Sequence, residues 1–182
     1  CDNTLWKGVC GENDLEDIEI SSHYSGFQAF LEKKRSEGML LCICSKNNAE
    51  DVYKVFDRHP GMILRKESVV SWQCNWENKS KNIKELSKKL GLALDSMIFI
   101  DDNPLECAEV RANCPEVLTL QFPDEDYGLQ KFLDHVWPFD QRKITKEDQE
   151  RTLFYKQNAQ REQLQSQSSS YSEFLKSLNL EV

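Results

Sequence analysis

Asp101 and Asp102 stand side by side directly after the apolar run Met97-Ile98-Phe99-Ile100. Two carboxylates at a dry strand end are costly unless neutralised, and a hard divalent cation is the usual remedy. The plainer use of Asp102-Asn103-Pro104 is to cap the helix that follows. Three more polar closures invite the same reading: Cys1-Asp2-Asn3-Thr4, Ser45-Lys46-Asn47-Asn48, and Lys79 within Asn75-Trp76-Glu77-Asn78-Lys79. Ser45 and the amides after it offer a hydroxyl and a helix N-terminus, which together suit an anion. Lys79 offers a positive charge. Taken singly these are weak signals, since many helices begin with Ser or Asn and most lysines are solvated.

These groups need elements that bring them to one place. Met39-Leu40-Leu41-Cys42-Ile43-Cys44 and Met97-Ile98-Phe99-Ile100 are continuous apolar runs ended by polar turn residues, the pattern of strands buried on both faces of a parallel sheet. Met62-Ile63-Leu64 and Val117-Leu118-Thr119-Leu120 are shorter candidates for the same sheet. Between them, Phe27, Phe30 and Leu31 precede Gly38, and Val52, Val55 and Phe56 follow Asn48. Ile83, Leu86 and Leu90 precede Gly91 at helical spacing, and Pro104 suits a first helical turn. Alternating strands and helices predict an α/β fold with a doubly wound parallel sheet. In such a sheet the active site lies beyond the carboxyl ends of the strands, where all four closures fall.

The tail has another character. Thr145 and Asp148 predict the start of a polar helix reaching about Gln165. Ser166 to Ser170 reads as a break, and Tyr171, Phe174, Leu175 and Leu178 as a short amphipathic helix. The expected division is a core over 1–142 and a helical extension over 143–182. No internal repeat is visible.

Composition narrows the function. The 182 residues suit one α/β domain plus an appendage, and a net charge of −8 argues against general affinity for nucleic acid or anionic membranes. The cysteines number seven, an odd count with no CxxC spacing, which predicts reduced thiols in a cytoplasmic protein. No apolar stretch approaches a membrane span and no signal peptide is visible. His23, His59 and His135 are scattered and suggest no zinc site.

The four closures, in this order and spacing, resemble the haloacid dehalogenase (HAD) superfamily: a DxDxT motif lacking its first Asp, a strand ending in Ser, a Lys, and a strand ending in Asp-Asp. Asp2-Asn3-Thr4-Leu5-Trp6, Ile43-Cys44-Ser45-Lys46-Asn47-Asn48, Asn75-Trp76, Phe99-Ile100-Asp101-Asp102-Asn103-Pro104 and the tail Ser172-Glu173-Phe174-Leu175-Lys176-Ser177-Leu178 are similar to its FkbH-like branch. Members of that branch load a glyceryl unit from 1,3-bisphosphoglycerate onto an acyl carrier protein, with dephosphorylation, for polyketide assembly. A plain Mg²⁺-dependent phosphatase on an unknown phosphoester, using the missing Asp as nucleophile, and a noncatalytic interaction module are the alternatives.

By that resemblance Asp2 is the general acid/base and its main-chain carbonyl a Mg²⁺ ligand, with Asp101 and Asp102 completing the metal site. Ser45 and Lys79 hold phosphate oxygens, with Lys81 as the alternative to Lys79. Asn3, Thr4, Lys46 and Asn47 contact substrate. Cys1 fills the variable position of DxD, where a thiol could attack an acyl phosphate to give a thioester. Strand alternation instead points Cys1 away from both carboxylates, as a small buried residue. The motif also implies a preceding Asp on a central strand, so the natural chain is expected to extend N-terminally, and to be free-standing or part of a larger synthase. Leu5 to Ser22 and Arg65 to Asn78 allow only short flaps, so little or no cap is expected over the site. An uncapped site suits a carrier-protein arm, with Trp6, Trp72 and Trp76 either walling the entrance or serving as core. Lys81, Lys84 and Lys88 share a helical face that offers either a carrier dock or a solvated surface.

Overall fold

The computed structural model describes residues 1–11, 15–124, 128–140 and 143–167. Strands β1 (Leu41–Ser45) and β2 (Val69–Cys74) pair in parallel, and so do β3 (Ile98–Asp101) and β4 (Leu118–Gln121). Helices α1 (Ser22–Ser36), α2 (Ala49–Arg58), α3 (Lys79–Leu90), α4 (Pro104–Asn113), α5 (Leu129–Asp134) and α6 (Lys146–Gln167) alternate with or follow them. The α/β character and parallel pairing match the sequence expectation. Among the described residues the strands make two separate two-stranded sheets, and no ladder joins β1 to β3 as a continuous doubly wound sheet would require.

Local chemistry explains most boundaries. Helix α4 opens with Pro104 at its first turn, and the Asn103 side chain accepts from the Leu105 amide, so Asn103 rather than Asp102 is the capping residue. Helix α3 ends at Gly91 in the left-handed region (φ 62°), where its missing Cβ removes the steric cost. Thr145 and Asp148 bond reciprocally at the start of α6, as a capping box does. That helix continues through Gln167, past the break expected at Ser166. The expected tail helix around Tyr171–Leu178 lies outside the described residues.

Met62-Ile63-Leu64 is not a strand. Gln28, fully buried on α1, accepts at Oε1 from the amides of Ile63 (2.8 Å) and Leu64 (3.2 Å) and donates through Nε2 to the Leu5 carbonyl (2.7 Å). One side chain thus meets backbone demands that a sheet would otherwise meet. The true neighbour of β1 is β2, whose Val-Val-Ser-Trp-Gln-Cys sequence lacks a continuous apolar run.

The main core packs α1 and α2 against β1, β2 and the N-terminal loop. Trp6 is fully buried and meets Phe56 edge-on, and Phe27 lies 4.6 Å from Phe122, ring centre to ring centre. A second cluster of Ile83, Phe99, Val110, Cys114 and Val117 fills the space among α3, α4, β3 and the approach to β4. Helix α6 lies over α1 and β2. It crosses Gly38 so closely that a Cβ there would stand 2.7 Å from Cβ of Asp148. No helix among the described residues is long and apolar enough to cross a membrane. Residues 5–11 and 15–21 are loop apart from a short 3-10 turn at Leu15–Asp17, and are tied together by an antiparallel Lys7–Glu19 bridge.

Candidate active site

The polar closures meet at the carboxyl ends of β1 and β3. A tight turn follows Cys1, whose carbonyl accepts from the amides of Thr4 (3.0 Å) and Leu5 (2.7 Å), and Asn3 takes the left-handed conformation (φ 50°). That turn aims the Asp2 carboxylate into a cage of donors. Its Oδ1 accepts from Trp6 Nε1 (3.1 Å) and the Cys10 amide (3.3 Å), and its Oδ2 from Asn47 Nδ2 (3.1 Å). The same Asn47 amide donates to Ser45 Oγ at 2.9 Å, so one side chain ties the first closure to the end of β1.

The β3 end joins through Thr4, whose Oγ1 donates to Asp102 Oδ1 at 2.9 Å and lies 3.4 Å from the Asp2 carbonyl. Burial, with Asp101 adjacent, raises the Asp102 carboxyl above its ordinary value; the Thr4 hydrogen bond only partly offsets this. Asp101 is buried, accepts from the Asn103 amide at Oδ1 (3.0 Å), and pairs at Oδ2 with the Lys79 ammonium. Burial opposes the Lys79 charge, yet the Asp101 carboxylate outweighs it and raises the lysine above its usual range. Lys81 instead points to solvent and pairs with Glu77 at 3.0 Å, so of the two lysines Lys79 is the one brought to the cluster. Lys84 and Lys88 are exposed on the outer face of α3.

Sequence reasoning missed the acidic ridge of α4. Glu106 accepts from Lys46 Nζ at 2.6 Å, and Glu109, one turn on, accepts from the Ser80 amide at 3.1 Å and from its hydroxyl. One helix therefore braces both lysine-bearing segments, Lys46 after β1 and Lys79 at the start of α3. The signal was the i, i+3 spacing of Glu106 and Glu109 just after Asp101-Asp102. Asn82 was missed too: its side-chain amide bonds reciprocally with that of Asn75, at 3.1 and 2.8 Å.

Cys10 and Cys44, near the cluster, are not activated. Burial, followed by the Asp2 charge, pushes Cys10 up to about 12, and burial pushes Cys44 up to about 12 as well. Cys1 is half-buried and packs against the main core. All seven cysteines are free. Beside Asp102 opens a shallow cavity lined by Asn3, Lys7, Tyr24, Pro123 and Asp124. No group of three or more His, Cys, Asp or Glu side chains is arranged to hold a metal among the described residues.

Comparison with known proteins fits this geometry. A search of curated proteins finds no match. Among solved structures, the chain is similar to the crystal structure of the N-terminal part of the protein BF1531 from Bacteroides fragilis, which contains a phosphatase domain complexed with Mg. The identity is 32%, the TM-score 0.69, and the match covers 76% of this chain but 38% of the other. The chain thus spans well under half the length of that relative. Residues 1–143 match the family model for NLI interacting factor-like phosphatases, so the closures at Asp2, Ser45, Lys79 and Asp101 fall within the matched span. The HAD superfamily expected from the motifs is met at the level of a phosphatase-type domain, while these matches do not extend to the FkbH-like branch or its glyceryl transfer; the chain belongs to the NLI interacting factor-like phosphatase family.

Proposed function

We propose that this domain hydrolyses phosphate monoesters with the help of Mg²⁺, using the strand-end cluster of Asp2, Ser45, Lys79, Asp101 and Asp102. The observation that carries the reading is the chain of contacts from Ser45 through Asn47 to Asp2, and from the Asp2 turn through Thr4 to Asp102. Anion-holding and cation-holding groups are thereby fixed in one body.

The residues fit a magnesium ion by their chemistry. Mg²⁺ favours hard oxygen ligands and usually takes one or two carboxylates, filling its remaining positions with water and substrate phosphate. Asp102, half-buried beside Asp101 and raised by that burial, is a carboxylate that a cation would relieve. Asp101, Asp102 and the Asp2 main-chain carbonyl would hold the ion. Bound there, it would neutralise phosphate charge as the leaving group departs. Asp2, ringed by N–H donors, keeps its carboxylate oriented to give a proton to the ester oxygen as its bond to phosphorus breaks, and to take one back from the water whose oxygen replaces it on phosphorus. Ser45 and Lys79 hold the phosphate oxygens. Asn3, Thr4, Lys46 and Asn47 position the substrate, Lys46 through its Glu106 tether.

In this reading 1–142 is the catalytic core and 143–182 a helical extension, with α6 bracing the outside of α1 and β2. The direct test is phosphate release from p-nitrophenyl phosphate with MgCl2 and with EDTA. Magnesium-dependent turnover that Lys79→Met and Asp102→Asn abolish is expected; turnover indifferent to both would sink the assignment.

A second reading rests on the half-buried Cys1, one residue from Asp2. In the FkbH-like reading the Cys1 thiol attacks the acyl phosphate carbonyl of 1,3-bisphosphoglycerate, and the C–O bond to that phosphate breaks and releases it as inorganic phosphate. The resulting thioester passes by exchange to an acyl carrier protein thiol, the remaining phosphate ester being hydrolysed at the same site. Intact mass after incubation with 1,3-bisphosphoglycerate distinguishes the two. A glyceryl adduct that vanishes in Cys1→Ala supports transfer; phosphate release that survives Cys1→Ala, with no adduct, supports the phosphatase.

A further inference from the structure

The tryptophans divide sharply. Trp6 is core, and Trp72 is half-buried between Tyr53 and Phe56, whereas Trp76 is 70% exposed. A lone exposed aromatic needs no explanation by itself. Trp137 is 80% exposed on a short 3-10 turn that follows α5.

Trp76 differs in its mounting. The residue before it, Asn75, is held at four points. Its amide donates to the Ser45 carbonyl (3.1 Å), its Nδ2 to Gln73 Oε1 (3.2 Å) and Asn82 Oδ1 (3.1 Å), and its Oδ1 accepts from Asn82 Nδ2 (2.8 Å). The residue after it is fixed as well, because the Glu77 amide donates to the same Oδ1 at 3.0 Å. The indole is tied by its edge, with Nε1 donating to Asn48 Oδ1 at 3.3 Å. Asn48 directly follows Asn47, the residue that contacts both Asp2 and Ser45. The ring is therefore fixed in position yet left uncovered, bonded to a residue three along the chain from Ser45 and itself three before Lys79. Fixing a large side chain in advance removes the entropy cost of using it in binding.

We propose, resting on the phosphatase reading above, that Trp76 is the specificity platform of the site. Its ring stacks against the apolar or aromatic organic part of the phosphoester while Ser45 and Lys79 hold the phosphate. The substrate class is then phosphate on a flat or apolar carrier, an aryl phosphate or an aromatic-rich chain, rather than a small polyol phosphate. An aromatic pair contributes beyond simple area burial, and the phosphate-bearing end supplies the anchor.

The test is calorimetric titration of the full chain, with MgCl2 present, using two unreactive phosphate mimics, phenylphosphonate and methylphosphonate. Wild-type protein is expected to favour the phenyl compound by about three- to tenfold, the range an aromatic contact gives. In Trp76→Ala that ratio should collapse towards one, and Trp76→Phe should keep most of it. A ratio of one in the wild type, or a ratio unchanged in Trp76→Ala, overturns the platform while leaving the phosphate site standing. Failure of the wild type to bind either phosphonate overturns both the platform and the phosphatase reading.

Discussion

Glu109 accepts two hydrogen bonds from Ser80, one from its amide and one from its hydroxyl, across the gap between α4 and α3. Helix α3 has no side-chain cap of its own, so this contact supplies the missing acceptor from a neighbouring helix. Because Lys79 is the first residue of α3, the same contact fixes the base of its side chain. Glu109→Ala is expected to cost about 1 kcal/mol in urea unfolding, the size of a lost cap, and to speed amide exchange at Ser80. Unchanged exchange there would show that α3 does not depend on the brace.

Lys79 and Asp101 are both buried, so removing one leaves an uncompensated charge. Lys79→Met is expected to lose about 3–5 kcal/mol of stability. The double variant Lys79→Met, Asp101→Asn should recover much of that loss, and a double variant no better than the single would refute the pairing argument. The pH dependence has a definite sign. A lysine raised in the fold stabilises fully below its ordinary value of about 10.4, and that contribution is lost as pH climbs through the raised value. Unfolding followed from pH 7 to 11 should show the pair's contribution flat and then falling.

Asp102 behaves in the opposite sense to a salt-bridged carboxylate. Raised by burial beside Asp101, it is most favourable below its ordinary value of about 3.9 and loses that advantage as pH rises through the raised value. In EDTA at pH 7, Asp102→Asn should therefore raise the melting temperature, and near pH 3 the gain should vanish. Added MgCl2 should raise the melting temperature of the wild type with concentration and that of the variant far less. A variant less stable than wild type in EDTA at pH 7 would contradict this account.

Gln28 offers the sharpest core test. Gln28→Leu keeps an apolar-compatible volume but strands the buried Leu64 amide and the Leu5 carbonyl. A loss of about 3 kcal/mol in chemical unfolding is expected, from about 1–3 kcal/mol per stranded group. A loss under 1 kcal/mol would mean that solvent reaches these groups.

How far the fold was legible follows from these particulars. Strands β1 and β3 announce themselves because both faces are covered and their sequences are continuously apolar. Strand β2 is hidden because Ser71 is buried without an apolar side chain and Gln73 interrupts the run. Met62-Ile63-Leu64 misleads for the converse reason, since an apolar triplet need not pair when a distant glutamine satisfies its amides. At the candidate site, the order and spacing of the four closures were enough to nominate Asp2, Ser45, Lys79 and Asp101. The Thr4–Asp102 and Lys46–Glu106 contacts could not, because each joins residues far apart in the chain whose meeting only the packed fold decides.

Asn47 spends both of its Nδ2 hydrogens on the cluster, one on Asp2 and one on Ser45. The proton-handling carboxylate and the anion-holding hydroxyl accordingly share a single amide as hinge pin, and neither can shift without tugging the other. Damage at any one of the three positions already forfeits part of what the others provide, so their losses overlap instead of accumulating. The three residues form one working part, and natural variation at Asn47 would have to be answered at Asp2 and Ser45 together.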